Sequence, residues 1–310
     1  MAPPRGTGRQ IAIGAGLGSL WLLTEVLDAR GALGGATALV NLIPVALALA
    51  WGGLVGAALA MGVAVVGMAV LADSAVPVVL VARQAVPGLV LGAALLKRRG
   101  LSTSLILVGG ASLLGLLVLV GLYVPADPGM VGVLRREVET HITDLERLRA
   151  RLGVASDPGW VAESARLAGA VLRVAAPAVV VVGLFLIALT NYLGARLALR
   201  GWEFRPFAEE AVPDHLVWAV IAGGLMLVSQ QEALERIGLN LVLVLTPLYA
   251  IQGLAVLRHF FQKARLPRPL QGVGFGLFAL QPLLLIAAAC LGLSDLWADF
   301  RKIRRAATPA

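Results

Sequence analysis

The chain has 310 residues, of which 59% are hydrophobic and only 14% are charged, and its formal net charge is +8. Soluble globular proteins carry about 25% charged residues, so this composition excludes a soluble fold and predicts an all-α, polytopic helical membrane protein. The basic residues gather at the ends of apolar stretches, a pattern set by membrane topology that argues against a nucleic-acid partner. The single cysteine, Cys290, excludes an intrachain disulfide and a cysteine metal cluster.

The first predicted span covers about residues 10–27 and lacks a small-residue cleavage pattern, so we expect an uncleaved helix. Gly14 and Gly18 have a spacing that lets a second helix approach closely, either from a partner protein or from this chain. Glu25 and Asp28 close the span on adjacent turns of one face. They are candidates to neutralise a buried cation.

The second predicted span, about residues 36–51, is short and is interrupted by Asn41 and Pro44. A broken span with a polar residue can line a binding site, and a proline kink can equally serve packing alone. Asn41 is therefore a candidate binding residue. The third span, about residues 53–71, is almost wholly small and apolar, which predicts a close-packed interior helix.

The fourth span, residues 75–99, carries Arg83 and Gln84 near its middle, where a charge is costly and usually faces protein or water. Pro87 has no N–H group, so the carbonyl group of Arg83 loses its helical donor at the same place. Arg83 is the leading candidate for a site or gate; the alternative is a snorkelling side chain or a structural ion pair. The basic triplet at residues 97–99 places this end of the span in the cytoplasm, and with it the N-terminus.

A polar insert, residues 127–159, follows the fifth span and is predicted to be an extracytoplasmic, amphipathic helical hairpin. Its first helix begins at an Asp-Pro cap and ends near Gly153. Apolar residues recur at heptad a and d positions, with His141 in the remaining d position. About three heptads are short for a dimeric coiled coil, so a helix lying on the membrane or folded over its own bundle is favoured over that alternative. The insert separates a five-helix part, residues 1–126, from a four-helix part, residues 160–310.

The last four spans bring the predicted total to nine, with eight or ten as alternatives. The eighth span holds Asn240 and Gln252, which join Asn41, Arg83 and Gln84 in a polar set able to hydrogen-bond a small ligand or one another. With nine spans the basic C-terminal tail falls outside the cytoplasm, against the positive-inside rule. Either the count is off by one or the last segment is re-entrant.

The sequence contains no nucleotide-binding loop, zinc-hydrolase motif, calcium loop or nucleophile elbow, so we predict neither an enzyme nor a bound cofactor or metal. Few acids lie deep in the spans, which argues against a proton-driven transporter. The leading prediction is a substrate-binding or permease-like protein for a small molecule that depends on a membrane protein partner for energy. The rival prediction is a structural or regulatory scaffold that binds protein partners, or a second copy, through the insert and basic loops.

Several short motifs occur in a specific order along nearly the whole chain: Pro44 with Gly52–Gly56, Pro87–Gly92 before the basic triplet, Asn191-Tyr192, Gly238–Asn240, Gln252–Ala255 and Asp295–Lys302. Together they resemble the YybS-like family of bacterial membrane proteins. The first part of that family is distantly similar to the S components of energy-coupling-factor vitamin transporters. The resemblance implies a location in the bacterial inner membrane and a ligand cavity with Arg83 in or near it. It also implies that a coupling protein docks on Gly14 and Gly18.

Overall fold

The computed structural model describes residues 6–30, 36–71, 76–123 and 158–302, together with positions 132, 134–136, 138–140, 142–143 and 146–147 of the insert. Every element in these ranges is helical, which confirms the predicted all-α class. The helices turn large apolar side chains outward, as a bilayer requires: Leu54, Val70 and Trp218 are 79%, 78% and 70% exposed. The described insert positions are helical, and the rest of the predicted helix, including His141, lies outside the described residues.

The chain forms two compact units, each assembled from separate stretches. The first unit contains Met1–Leu117, Gly183–Val217 and Leu245–Ala310, and the second contains Val118–Val182 and Trp218–Val244. These boundaries differ from the linear division at the insert, because single long helices contribute residues to both units.

The first unit begins with α1 (Thr7–Ala29), a 3-10 turn (Ala36–Leu39) and α2 (Ile43–Leu71). α2 breaks at Gly53, whose φ of 64° and ψ of −160° are not helical. The chain folds back there, since a Cβ atom placed on Gly56 would lie only 2.9 Å from the carbonyl oxygen of Ala48. α2 therefore consists of two antiparallel arms, with the break between the second and third predicted spans.

The fourth span consists of α3 (Val76–Leu80), a π-helical turn (Val81–Ala85) and α4 (Val86–Leu96), and α5 (Leu101–Tyr123) follows. Gly88 and Gly92 of α4 lie against the first arm of α2, where added Cβ atoms would lie 2.9 Å from the Cβ of Val45 and 3.0 Å from a methyl of Leu49. The two helices run in the same direction, because both pairs of contacts advance together along the chain.

The remaining helices are α6 (Pro158–Ala198), α7 (Leu216–Leu227), α8 (Glu232–Lys263), α9 (Arg268–Leu280) and α10 (Pro282–Ala298). By length and composition, six of the described helices could cross a membrane, or seven if α9 and α10 form one broken span. The predicted nine is higher because α2 is counted as one helix, α9 and α10 are bent by 104°, and α7 is short. Its 12 residues extend about 18 Å, against a hydrocarbon core of about 30 Å.

Several loops of the first unit meet at one end, which we call the basic end; they are residues 97–100, 199–215 and 299–302. Arg98 Nη1 lies 3.6 Å from Glu203 Oε2, and Arg301 Nη1 donates to the carbonyl oxygen of Glu210 at 2.7 Å. Residues 299–302 thus lie beside the other two loops of this end.

The α9–α10 pair enters and leaves at the basic end. Near its start, the ring of Phe275 lies 6.3 Å from that of Phe207 in the loop at residues 199–215. Just after its end, the ring of Phe300 lies 6.3 Å from that of Phe260 in the last turns of α8. A bend of 104° separates the two helices, so the pair forms either one broken span or a re-entrant segment.

The start of α1 also lies at the basic end. α4 and the first arm of α2 run together toward this end, so the turn at Gly53 lies there. A Cβ atom on Gly52 would lie 3.5 Å from the carbonyl oxygen of Gln10. The first turn of α1 and the basic triplet after α4 therefore share one end of the unit.

Candidate functional site

The π-helical turn shapes the middle of the fourth span. The N–H of Val86 bonds to the carbonyl oxygen of Val81, five residues back, and α4 carries Pro87 in its first turn. Because Pro87 has no N–H and its ring crowds the preceding turn, a wider turn accommodates it better than a regular α-helix. The turn buries Gln84 and leaves Arg83 exposed. Such turns occur frequently at functional sites.

A buried hydrogen bond connects this turn to α1. Trp21 Nε1 donates to Gln84 Oε1 at 2.6 Å, and the two side chains are 0% and 4% exposed. The indole ring packs in an apolar cluster with Val45 of α2 and Leu80 of α3. The bond satisfies two polar groups that would be costly in this apolar surrounding.

Glu25 lies one helical turn after Trp21 and completes the cluster. Its carboxylate lies near the Gln84 amide and the Trp21 indole, and Arg83 and Asp28 are within electrostatic reach. Glu25 Oε1 is buried and has no hydrogen-bond partner among the described residues. A carboxylate oxygen has two acceptor positions, so this atom has free capacity for a donor or a cation.

Arg83 lies in the half of the span away from the basic end. It precedes Lys97 by fourteen residues, which is about 20 Å of helix in a hydrocarbon core of about 30 Å. No hydrogen bond joins Arg83 to Glu25 in the described part of the chain, so the pair interacts through its opposite charges. The exposed guanidinium and the half-buried carboxylate together form a dipolar site in the membrane span.

Asn41 is a predicted binding residue that the structure does not show in contact with Glu25, Arg83 or Gln84. Its side chain is 5% exposed, and its Oδ1 lacks a hydrogen-bond partner among the described residues. Asn41 precedes Val45 by one turn, and Val45 packs with Trp21. Beside it, Asn191 accepts the N–H of Leu42 at 2.9 Å. Asn41 thus keeps an unused acceptor, as a binding residue requires.

Gly14 and Gly18 pack within the chain. Added Cβ atoms would lie 2.6 Å from the carbonyl oxygen of Gly56 and 2.8 Å from that of Ala60, both in the second arm of α2. This is the intrachain alternative for the small-residue spacing. The backbone of α2 occupies the space where a partner's helix would have to approach these two glycines.

Gln252 belongs to a different buried network of the first unit. Its Oε1 accepts the N–H of Val212 at 2.8 Å, and its Nε2 donates to the carbonyl oxygen of Gly292 at 2.9 Å and to Asp295 at 3.4 Å. The side chain is fully buried. Its bonding groups are used to connect α8, α10 and the loop before α7, so the structure does not bring Gln252 to the Glu25 cluster.

The same network contains two residues that sequence reasoning missed. Glu210 is 1% exposed and accepts the N–H groups of Leu101 and Ser102 at the start of α5, at 2.7 and 3.3 Å. Arg301 bonds to Asp295 at 2.8 Å and to the backbone oxygen of Glu210 at 2.7 Å. A carboxylate at a helix N-terminus is favourable, but the loop that holds Glu210 also contains Glu203, Glu209 and Asp214, so its sequence does not single out Glu210.

Asn240 has a structural position in the second unit. Its Oδ1 accepts the N–H of Ala178 at 2.9 Å, and its Nδ2 donates to the carbonyl oxygen of Val174 at 2.8 Å. These two backbone groups would bond to each other in a regular helix, but α6 is bent next to Pro177. Asn240 therefore satisfies both groups at the bend, and its amide is used there.

The described residues form cavities of about 170, 230 and 380 Å³. The smallest lies between α1 and the first arm of α2 and is lined mainly by apolar residues, with Thr24 as the polar exception. The other two belong to the second unit. Arg83 lines none of these three, so the candidate site is a polar cluster at a helix turn.

These helices define a multi-pass helical membrane protein. The chain belongs to the DUF2232 family of predicted membrane proteins, whose model matches residues 31–296. Comparisons with curated proteins and with solved structures gave no match. The matched range includes Asn41, Arg83 and Gln84 but begins after Glu25. The similarity to S components stays a prediction.

Proposed function

We propose that this protein is a substrate-binding or permease-like protein that holds a small polar molecule at Glu25, Gln84 and Arg83. The observation that carries the proposal is the buried, unpartnered Oε1 of Glu25, next to an amide and within reach of an arginine. An acidic and a basic side chain within the membrane carry a high free-energy cost unless they pair with each other or with a ligand. Because no hydrogen bond joins them in the described residues, a ligand between them would gain from both charges.

The chemistry of the cluster indicates the ligand class. Glu25 Oε1 accepts a donor such as an amine or hydroxyl group, and Arg83 donates to a carboxylate or other acceptor. A small zwitterionic or amide-bearing molecule presents both. Since the sequence has no nucleotide-binding loop, energy would come from a partner protein.

We propose that the chain lies in the bacterial cytoplasmic membrane with its N-terminus inside. The first turn of α1, the basic triplet at residues 97–99 and residues 301–302 share the basic end of the first unit, which supports a common cytoplasmic side. The Glu25 cluster then lies in the outer half of the membrane, accessible from outside the cell.

A scaffold remains the second candidate function. The observation that favours it is that Arg83 lines none of the three cavities described above. A solid bundle would use its insert and basic loops to hold protein partners. The two functions differ in what co-purifies: a small molecule for the first, a protein for the second.

Mass spectrometry of co-purified small molecules tests the proposal. The protein is purified in mild detergent as wild type, as Glu25→Gln and as Glu203→Gln, a control because the Glu203 side chain is 94% exposed. We expect one small molecule to accompany the wild type and the control and to be lost from Glu25→Gln. The same molecules in all three proteins, or no molecule in any, would contradict the proposal.

A further inference from the structure

An arginine-lined cavity lies in the second unit, apart from the Glu25 cluster. Its volume is about 230 Å³, and its lining combines one residue of the insert with one face of α6: Arg135, Ala165, Arg166, Gly169, Leu172 and Arg173. We propose that this cavity binds a phosphate group at the membrane interface, carried by a lipid headgroup or by soluble phosphate.

Two of the three arginines that line the cavity are paired with glutamates, and the third is not. Arg135 Nε donates to Glu139 at 2.9 Å, and Arg166 makes a two-point contact with Glu163 at 2.6 and 2.8 Å. Arg173 forms neither a hydrogen bond nor an ion pair with any residue that the structure describes. A guanidinium has five N–H donors and suits phosphate oxygens. The N–H groups of Arg173 are therefore available to bind an acceptor on a ligand.

Arg173 marks a membrane boundary along α6. The next charged residue is Arg196, and the 22 residues between them are uncharged, which matches the roughly 20 residues needed to cross the hydrocarbon core. The helix has 41 residues and a length of about 60 Å, twice the core thickness. The part before Arg173 thus projects beyond the apolar layer, and the cavity lies at the level of the phospholipid headgroups.

The walls of the cavity suit an amphiphilic ligand. Leu172 is 5% exposed, and Ala165 contributes a second apolar surface. A Cβ atom placed on Gly169 would meet no atom within 4 Å, so this position opens freely into space. An apolar wall beside a cationic rim accommodates the phosphate and glycerol of an anionic phospholipid.

Three variants of the full-length protein test the site. Arg173→Gln removes the free guanidinium, and Gly169→Leu fills the cavity. Arg236→Gln is the control, because it removes an arginine of the second unit that does not line the cavity; unlike Arg173, Arg236 is paired with a glutamate, Glu232. Thermal unfolding in detergent checks that each variant is folded; if Arg173→Gln fails to fold, Gly169→Leu decides.

Two binding measurements, a lipid arm and a phosphate arm, distinguish a lipid headgroup from soluble phosphate as the ligand. Native mass spectrometry counts phosphatidylglycerol retained against phosphatidylcholine, and calorimetry measures inorganic phosphate. We expect the wild type and Arg236→Gln to bind equally, and the two cavity variants to bind about tenfold more weakly, as the loss of a charge-assisted contact predicts. This pattern in the lipid arm assigns a headgroup site, and in the phosphate arm a soluble-phosphate site. Equal binding by all four proteins in both arms would overturn the proposal.

Discussion

Replacement of Arg301 by methionine should destabilise the first unit strongly. The Arg301 and Asp295 side chains are 2% and 6% exposed. The guanidinium bonds to Asp295 at 2.8 Å and to the backbone oxygens of Ala208 and Glu210 at 2.8 and 2.7 Å. Arg301→Met leaves a buried carboxylate without its cation and two carbonyl groups without this donor. Breaking such a buried pair costs about 3–5 kcal/mol of unfolding free energy.

Denaturant unfolding in detergent, followed by circular dichroism, measures this cost. The matched control is Arg98→Met, because the Arg98 and Glu203 side chains are 51% and 94% exposed and an exposed pair contributes about 0–1 kcal/mol. The double variant Arg301→Met/Asp295→Asn should recover part of the loss, since the uncompensated charge is gone. If Arg301→Met unfolds within about 1 kcal/mol of the control, the buried pair does not hold residues 299–302 to the basic end.

Further substitutions test the bend, the turn and the topology. Asn240→Leu should cost about 1–3 kcal/mol in thermal unfolding for each backbone group it strands at the bend of α6; no change would show that the bend does not need the amide. Gly53→Ala should destabilise by about 1–3 kcal/mol because its φ and ψ are accessible essentially to glycine alone, whereas Gly62→Ala, in open space within a helical arm, should be neutral or stabilising. A cysteine at Arg136 should react with a membrane-impermeant reagent on intact cells; labelling only after permeabilisation would reverse the predicted topology.

The helical class and the polar cluster were predictable from local sequence. A central arginine near a proline, and acids at the end of the first span, indicated charges that require each other. The structure brings Glu25, Arg83 and Gln84 together through the π-helical turn. Trp21 was not predicted as their partner, since a tryptophan in an apolar span has no local mark of a buried hydrogen bond.

The roles of Asn240 and Gln252 were not readable from sequence. A membrane-depth amide looks the same whether it binds a ligand or a backbone group, and the difference depends on bends and loops far away in the chain. Asn240 pairs with groups 62 and 66 residues away, and Gln252 with groups 40 residues away on either side. The bend between α9 and α10 was not readable for a related reason, because hydropathy does not show where a helix changes direction.

The most direct test of the central claim is the behaviour of Arg83→Leu and Arg83→Lys, measured together as stability in detergent and as complementation of a strain that lacks the gene. A lipid-facing arginine at the helix centre costs about 2.5–3.5 kcal/mol on insertion scales, so its removal would then be neutral or stabilising. We predict that both variants fold and both fail to complement, because lysine cannot reproduce the two-point contact of a guanidinium. Unchanged complementation with equal or higher stability in both variants would contradict the claim that Arg83 belongs to a functional site.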